Sequence, residues 1–541
     1  MGEYPRVRVG KPHGADRKKE VIVAGLTLLL LLAAATVLLA PLAERISVPH
    51  PVVMLMFGLA IAFVPGLSVS SLNPELILPL VLPPLLFAAA RRTSWRQFLD
   101  NRRAIALLAV ALVGITAFVV GFVLQAVVPG LPLVAAVALG AAVAPPDPVA
   151  ATAVAHKLHL PRRLRTILEG EGLSNDATSL VLYEVAVAST MAGAFAPAHA
   201  GATLAGAIAI GVAVGLAIAV ATRWLLGKLP AHPAGSALVL VMPFAAYIAA
   251  DAAHGSGVLA VVTIALALSR YSDHESAQTR LVTVTTWEIV ELLVTGAAFA
   301  FVGLELRAVA EQASDSIGTL IAQALLITAV VVVVRFAWIF PVSALDEKLL
   351  RRKRGIAEPV GWREMTVASW AGMRGVVTLA AVLALPPGFP ERERLIFIAF
   401  FVIIATMLGQ GLTLPLLVRA LGVTSSEEDQ EAEERNLLRA GRAAGFERLG
   451  EIRERGDVSV QIVDEARENA DRMWHSLGVS EDAGDRGSVH AHDAGTLNAL
   501  KKEMLEAARD AVVEHRSASG SDPLVVDAVL RRLDARGSTD S

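Results

Sequence analysis

Cysteine is absent from the 541 residues, and charged side chains make up only 18% of them. The first absence removes disulfides, thiol nucleophiles and cysteine-held metals from consideration. The second, with a net charge of −3, removes nucleic acid as an expected partner, because charge balance supplies no surplus of basic groups to neutralise phosphates. Signatures of hydrolytic enzymes are missing too. His274-Glu275 lacks the second histidine of a zinc-protease helix, and no Gly-x-Ser-x-Gly elbow is present. Neither Asp147 nor Asp176 sits in a Gly-x-Gly-Asp pattern that would suggest an intramembrane aspartic protease. The chain is not expected to be an enzyme, and no cofactor is expected.

What is present is apolar. Hydrophobic residues account for 54% of the chain and the mean hydropathy is +0.57, which places most of it in a lipid bilayer. The basic residues Arg6, Arg8, Lys11, Arg17, Lys18 and Lys19 precede an apolar run in the manner of a signal peptide. That run, 21–43, is long enough to span a hydrocarbon core of ~20 residues and exceeds the ~7–15 of a signal segment. Further apolar windows fall at 49–66, 75–90, 104–128, 131–155, 164–195, 202–226, 236–252, 256–270, 283–306, 317–345, 362–386 and 395–418. The reading is an all-α polytopic membrane protein of about thirteen transmembrane helices over 21–421, preceded by a short N-terminal tail, 1–20.

Lys and Arg gather in the odd-numbered gaps, such as Arg91, Arg92, Arg96, Arg102 and Arg103 after the third window, and Lys348, Arg351, Arg352, Lys353 and Arg354 after the eleventh. Because basic loops stay on the cytoplasmic side, these gaps and the C-terminus are expected in the cytoplasm of a cell-membrane protein. Thirteen crossings then put the N-terminus outside, against the six basic residues of its own tail. After Leu421 the composition turns polar, and 422–541 reads as a soluble cytoplasmic tail with helical runs near 431–455, 457–477, 494–515 and 523–536, with regulation as its expected role. Leu437, Leu438 and Phe446 form a thin apolar stripe for packing on the tail itself, a second copy or the membrane part.

Two membrane windows are interrupted. Ala144-Pro145-Pro146-Asp147-Pro148 places three prolines within four positions of the fifth, so backbone carbonyls near residues 144–147 lose their helical partners. Irregular backbone at membrane depth is tolerated only where protein buries it or where it lines a wet cavity. Trp370-Ala371-Gly372-Met373-Arg374-Gly375-Val376 sets two glycines around an arginine in the twelfth. Windows seven apart run in opposite directions, so these are two unwound crossing helices in the corresponding places of an inverted repeat, a pointer to a transporter's substrate site.

The sixth window carries Glu169-Gly170-Glu171-Gly172-Leu173-Ser174-Asn175-Asp176, with Asp176 about half-way across. An ionised side chain at that depth costs from ~2.5 kcal/mol upward, so it persists mainly beside a cavity, a partner or a transported ion. Glu171 and Asn175 share a helix face, and Asp176 points about 100° away. Arg374 reads as the only cation at comparable depth and is expected to pair with Glu171 in a structural ion pair. Asp147 and Asp176 then remain beside freed carbonyls as a hard oxygen site for an alkali metal cation, Na+, K+ or Li+. Burial and a neighbouring carboxylate both favour the protonated acid, so a cation and a proton would compete for one side chain. Exchange follows if the protein changes its facing only when that carboxylate is neutralised. Asp176 is the expected carrier and Asp147 the second ligand.

Leu82-Pro83-Pro84-Leu85-Leu86-Phe87, Pro146-Asp147-Pro148-Val149, the stretch from Glu169 to Ala177, Phe301-Val302-Gly303-Leu304 and the stretch from Trp370 to Thr378, in this order and spacing, resemble the monovalent cation/proton antiporters that include bacterial NhaP-type proteins and animal sodium/hydrogen exchangers. The resemblance covers most of 20–420. It implies a homodimer with a scaffold and a mobile six-helix core, a site built from an aspartate like Asp147 and a pair like Asn175-Asp176, and a glutamate like Glu171 paired with an arginine like Arg374. It also implies electroneutral one-for-one exchange, since related proteins with Asp-Asp in place of Asn-Asp tend to be electrogenic. Two departures stand out. Gly172 replaces the family's usual serine, with Ser174, Thr178 or water as substitutes, and Pro146 replaces a threonine and can contribute only its carbonyl.

Other polar residues invite weaker readings. His156 and His159 lie at the expected cytoplasmic mouth; Glu288 and Glu291 read as structural; Asp251, His254 and Glu305 fall near the outer rim. The competing function is a passive cation channel, which would call for a continuous lined pore more than a pair of titratable buried acids.

Overall fold

The computed structural model describes residues 14–46, 48–64, 74–92, 102–147, 158, 160–193, 197–228, 233–269, 277–312, 316–354, 361–423, 427–456, 458–477, 494–519 and 523–538. Every regular element among them is helical. In chain order the membrane part comprises α1 (Gly14–Arg45), α2 (His50–Ala62), α3 (Pro74–Arg92) and α4, a rod that is α-helical over Arg102–Ala106, π-helical over Leu107–Leu112 and α-helical again over Val113–Val127. There follow α5 (Leu133–Val143), α6 (Arg162–Ala192), α7 (Pro197–Leu226), α8 (Pro233–Ala252), α9 (Gly257–Ser269), α10 (Ala277–Gln312) and α11 (Ile317–Arg354). The set closes with α12 (Trp362–Trp370), α13 (Val376–Leu383) and α14 (Arg392–Leu421).

Each of the thirteen apolar windows thus carries a described helix, and the twelfth carries two. Among the described residues six stretches are long and apolar enough to cross a bilayer: Arg103–Val127, Gly201–Leu226, Ala234–Ala252, Thr285–Glu311, Ile317–Ala344 and Arg392–Leu421. Shorter apolar helices stand beside them, at His50–Ala62, Pro79–Ala88, Leu133–Val143 and Gly257–Leu268. The surface agrees with lipid as the solvent. Leu38 on α1, Phe122 on α4, Val220 on α7, Val333 on α11 and Leu416 on α14 are all more than half exposed, and such apolar area on many helices would aggregate in water. This is a multi-pass membrane protein.

Small residues let helices touch at backbone distance, the usual device where lipid gives no hydrophobic drive to association. On α2 and α10 this is literal: a methyl added to Gly303 would stand 2.4 Å from the Leu55 carbonyl oxygen. The π-helical turn in α4 has a similar local cause and effect. Its wider register leaves the Leu107 carbonyl to accept from the Trp338 indole of α11 at 3.1 Å, tying α4 to α11. Gly170 on α6 packs directly over Ile105 of the same rod. These contacts pack both α6 and α11 against α4.

Gly422, with φ of 64°, ends α14 in the left-handed conformation that glycine adopts without steric penalty. Four more helices follow: α15 (Glu427–Arg455), α16 (Val460–Ser476), α17 (Ala494–Ser519) and α18 (Pro523–Ser538). They enclose a core of their own, centred on Leu437, Trp474, Ala508, Val512, Val526 and Val529, all fully buried. Leu437 and Leu438 therefore serve packing of the tail on itself. The tail also touches the membrane part, where Arg531 of α18 approaches Glu288 of α10 at 3.6 Å. Both side chains are about half exposed, so this pair contributes at most about 1 kcal/mol.

Candidate ion-exchange site

Prolines at 145, 146 and 148 cannot donate to carbonyls one turn earlier, and side chains of α6 and of the 371–375 segment bond carbonyls along this stretch. Ser179 of α6 donates to the Ala141 carbonyl at 2.8 Å, and the Asn175 amide donates to the Pro146 carbonyl at 3.3 Å. Arg374 donates from Nε to the Val143 carbonyl at 2.9 Å and from Nη2 to the Ala144 carbonyl at 3.2 Å. The Asp147 amide donates to the Met373 carbonyl at 2.6 Å, joining the first break directly to the second. Buried backbone groups need partners, and here the partners of one break are supplied by α6 and by the other break. The chain beyond Asp147, including Pro148 and His156 and, after Leu158, His159, lies outside the described residues.

The second break, 371–375, separates α12 from α13. Its Arg374 amide donates to Thr406 Oγ1 of α14 at 3.1 Å, while the Arg374 side chain also donates to the Gly372 carbonyl. Gly375 is required by a close approach: a Cβ there would lie 2.5 Å from Asp147 Cγ and 2.7 Å from Oδ1. Gly375→Ala is therefore expected to displace the Asp147 carboxylate and cut exchange about tenfold or more, since ~1 Å misplacements at reacting groups carry losses of that order or larger. Transport by reconstituted protein, set beside a melting curve showing that the variant still folds, checks this.

The expected Glu171–Arg374 ion pair is not what forms. Glu171 pairs with Arg335 of α11, Nη1 to Oε1 at 2.5 Å and Nη2 to Oε2 at 2.8 Å, in a two-pronged contact with both residues about 1% exposed. Arg335 also donates to the Ala368 carbonyl of α12, from Nε at 3.2 Å and from Nη2 at 3.1 Å. Nor is Arg374 the only deep cation. Arg335 is the one charged residue in the span Ile317–Ala344, and a hydropathy window averages it away. Read singly, a lone arginine nineteen residues into an apolar run is the signal that could have found it. Arg374 instead spends its donors on freed carbonyls, a neutral task for which a fixed planar fork is well suited.

The acids come together as the sequence suggests they should. Asp147 is 7% exposed, Asp176 2% and Asn175 fully buried, and the two carboxylates lie within electrostatic range of each other. Pro146 adjoins them through its carbonyl contact with Asn175. Thr178 is only partly buried on another face of α6. The Asn175 Oδ1 atom is buried and, among the described residues, accepts no hydrogen bond; its orientation follows from Nδ2, since only the nitrogen can donate to the Pro146 carbonyl. Among the described residues no three His, Cys, Asp or Glu side chains converge as a polydentate metal site would need. Carboxylate, amide and carbonyl oxygens suit a hard monovalent cation better. On the other side, Asp251 and His254 are exposed at the end of α8, and Asp251 lies within range of Glu184 on α6, an acid the sequence reading passed over.

Residues 31–420 match the family model of the transmembrane sodium/hydrogen exchangers. An uncharacterized Na+/H+ exchanger of Mycobacterium tuberculosis is 31% identical over 95% of this chain and 95% of its own. The sodium, potassium, lithium and rubidium/H+ antiporter of Bacillus pumilus is 30% identical over 83% of this chain and 69% of its own. In three dimensions the chain is similar to the sodium proton antiporter MjNhaP1 of Methanocaldococcus jannaschii, with a TM-score of 0.58 at 18% identity over 75% of this chain and 99% of that one, a likeness of fold. Two linked helix breaks around buried acids, and a matched region that contains all of them, lead to one assignment: the chain belongs to the sodium/hydrogen exchanger family.

Proposed function

We propose that this protein is a secondary active antiporter that exchanges Na+, K+ or Li+ for H+ across the cell membrane, one for one. The observation that carries the reading is Asp176, 2% exposed, beside Asp147 and beside an amide oxygen that has no partner among the described residues. Asp176 binds a proton or an alkali cation, never both, and neutralising it permits the site to change its facing. Asn175 supplies an oxygen but no titratable charge, so a single carboxylate cycles, and exchange is electroneutral. The cations named for the Bacillus pumilus relative favour a site that accepts several alkali metals. Thirteen crossings arranged as inverted repeats, a homodimer and a cytoplasmic tail over 422–541 complete the proposal, resting on loop charge and on the resemblance in sequence.

Competition gives a sharp test. In proteoliposomes the apparent KM for sodium should rise about tenfold for each unit fall in pH once protons outcompete the cation, while the maximal rate stays near constant. Rates should be the same with the voltage clamped at zero or left free. A voltage-dependent rate at saturating sodium would overturn one-for-one stoichiometry, and cation flux uncoupled from protons would favour the channel.

A further inference from the structure

We infer that Thr378, on the first turn of α13, supplies a hydroxyl oxygen to the transported cation and helps set cation affinity. The inference rests on the exchange reading above. Thr378 is 1% exposed, yet among the described residues its Oγ1 has no hydrogen-bond partner. Buried and half-buried threonines on these helices ordinarily solve that problem locally. Thr36, Thr190, Thr222, Thr328 and Thr406 each donate to the carbonyl four residues back, at 2.7 or 2.8 Å. For Thr378 that carbonyl belongs to Arg374, which lies in the unwound segment and is not aligned with the helix. The break that makes the site therefore also strands this hydroxyl. Thr295 lacks a partner too, but within the continuous α10, where a helical carbonyl four residues back stays in reach.

The helix that carries the stranded oxygen runs beside the acids. One end of α13 is fixed by Gly375, which packs on the Asp147 carboxylate, and the other by Ala381, whose carbonyl accepts from Tyr183 of α6 at 2.6 Å. Tyr183 stands two turns beyond Asp176 on α6, and Ala381 nearly two turns beyond Gly375 on α13. The two helices thus run side by side in one direction, with Thr378 between the fixed ends. Helical side chains lean towards the N-terminus, so the Thr378 hydroxyl tilts back towards Gly375 and the site. Asn175 Oδ1 is another buried oxygen that, among the described residues, accepts no hydrogen bond. An unpaired buried oxygen is costly unless something comes to it, and a partly dehydrated alkali cation needs several such oxygens beyond its carboxylates.

Thr378→Val keeps the shape and removes the oxygen; Thr378→Ser keeps the oxygen. In reconstituted protein, Thr378→Val should raise the apparent KM for sodium about tenfold with a maximal rate within about twofold of wild type. Thr378→Ser should return the KM close to wild type. The order of preference among lithium, sodium and potassium should also change in Thr378→Val, which a purely structural role would not alter. An unchanged KM and preference in Thr378→Val, with wild type active, would overturn the assignment while leaving the exchange reading intact. Absence of cation-coupled proton movement in wild type itself would instead overturn the exchange reading. Should Thr378→Val fail to fold, sodium dependence of melting in Thr378→Ser and wild type decides: equal midpoint sodium concentrations support the oxygen, and loss of the sodium effect in Thr378→Ser overturns it.

Discussion

Asp176→Asn should abolish cation-driven proton movement, by about a hundredfold or more, and at the same time make the protein harder to melt. The two signs together are the test. Loss of exchange follows because neither ion retains its binding carboxylate. The gain in stability follows because a deep acid with no fixed cation beside it is a standing cost, and a neutral side chain of the same shape removes part of it, about 1 kcal/mol or more. A buried acid with a purely structural role predicts the reverse, since its replacement would break contacts and lower the melting temperature. Asp147→Asn should also stop exchange, because its carboxylate packs on Gly375 and its amide ties the two breaks together. Proton movement in proteoliposomes and thermal unfolding in detergent measure both quantities on the same preparation.

Arg335→Met should be the most destabilising single substitution near the site, costing about 3–5 kcal/mol, because it leaves Glu171 charged and buried without a counter-ion. Adding Glu171→Gln to Arg335→Met should recover much of that loss, since removing both partners of a buried pair is far cheaper than removing one. Adding Glu171→Gln to Arg374→Met should recover little. Arg374 holds the Val143, Ala144 and Gly372 carbonyls, and those stay unpaired whatever stands at position 171. A coupling of about 2 kcal/mol between Glu171 and Arg335 is expected from the double-mutant cycle. If the larger coupling fell instead on Glu171 with Arg374, the two-pronged pair would not be what anchors α6 to α11.

The parts of the site that could be read in advance are those written in local chemistry. Pro145, Pro146 and Pro148 cannot continue a helix, and Asp176 stands deep in an apolar stretch whatever surrounds it. The partner of Glu171 could not be read that way. Arg335 and Arg374 both converge on Gly372, where a Cβ would meet Arg335 Cδ at 2.7 Å and Arg374 Nη1 at 3.0 Å. Two guanidinium groups at nearly one place differ only in the direction from which each arrives. The tail shows the same limit, because the thin stripe of Leu437, Leu438 and Phe446 did not reveal that Trp474, Met504 and Val526 would meet it.

Position along the chain sufficed to place the helix breaks and the buried acids, because backbone donors, proline rings and ionisation costs act at the residue that carries them. Which guanidinium neutralises Glu171, which carbonyls Arg374 satisfies and which hydroxyl is left bare at Thr378 were decided only when α6, α11, α13 and α14 packed. Those outcomes depend on how each helix is rotated about its own axis, and that rotation is set by the close fits at residues such as Gly170, Gly372 and Gly375, summed over the whole bundle.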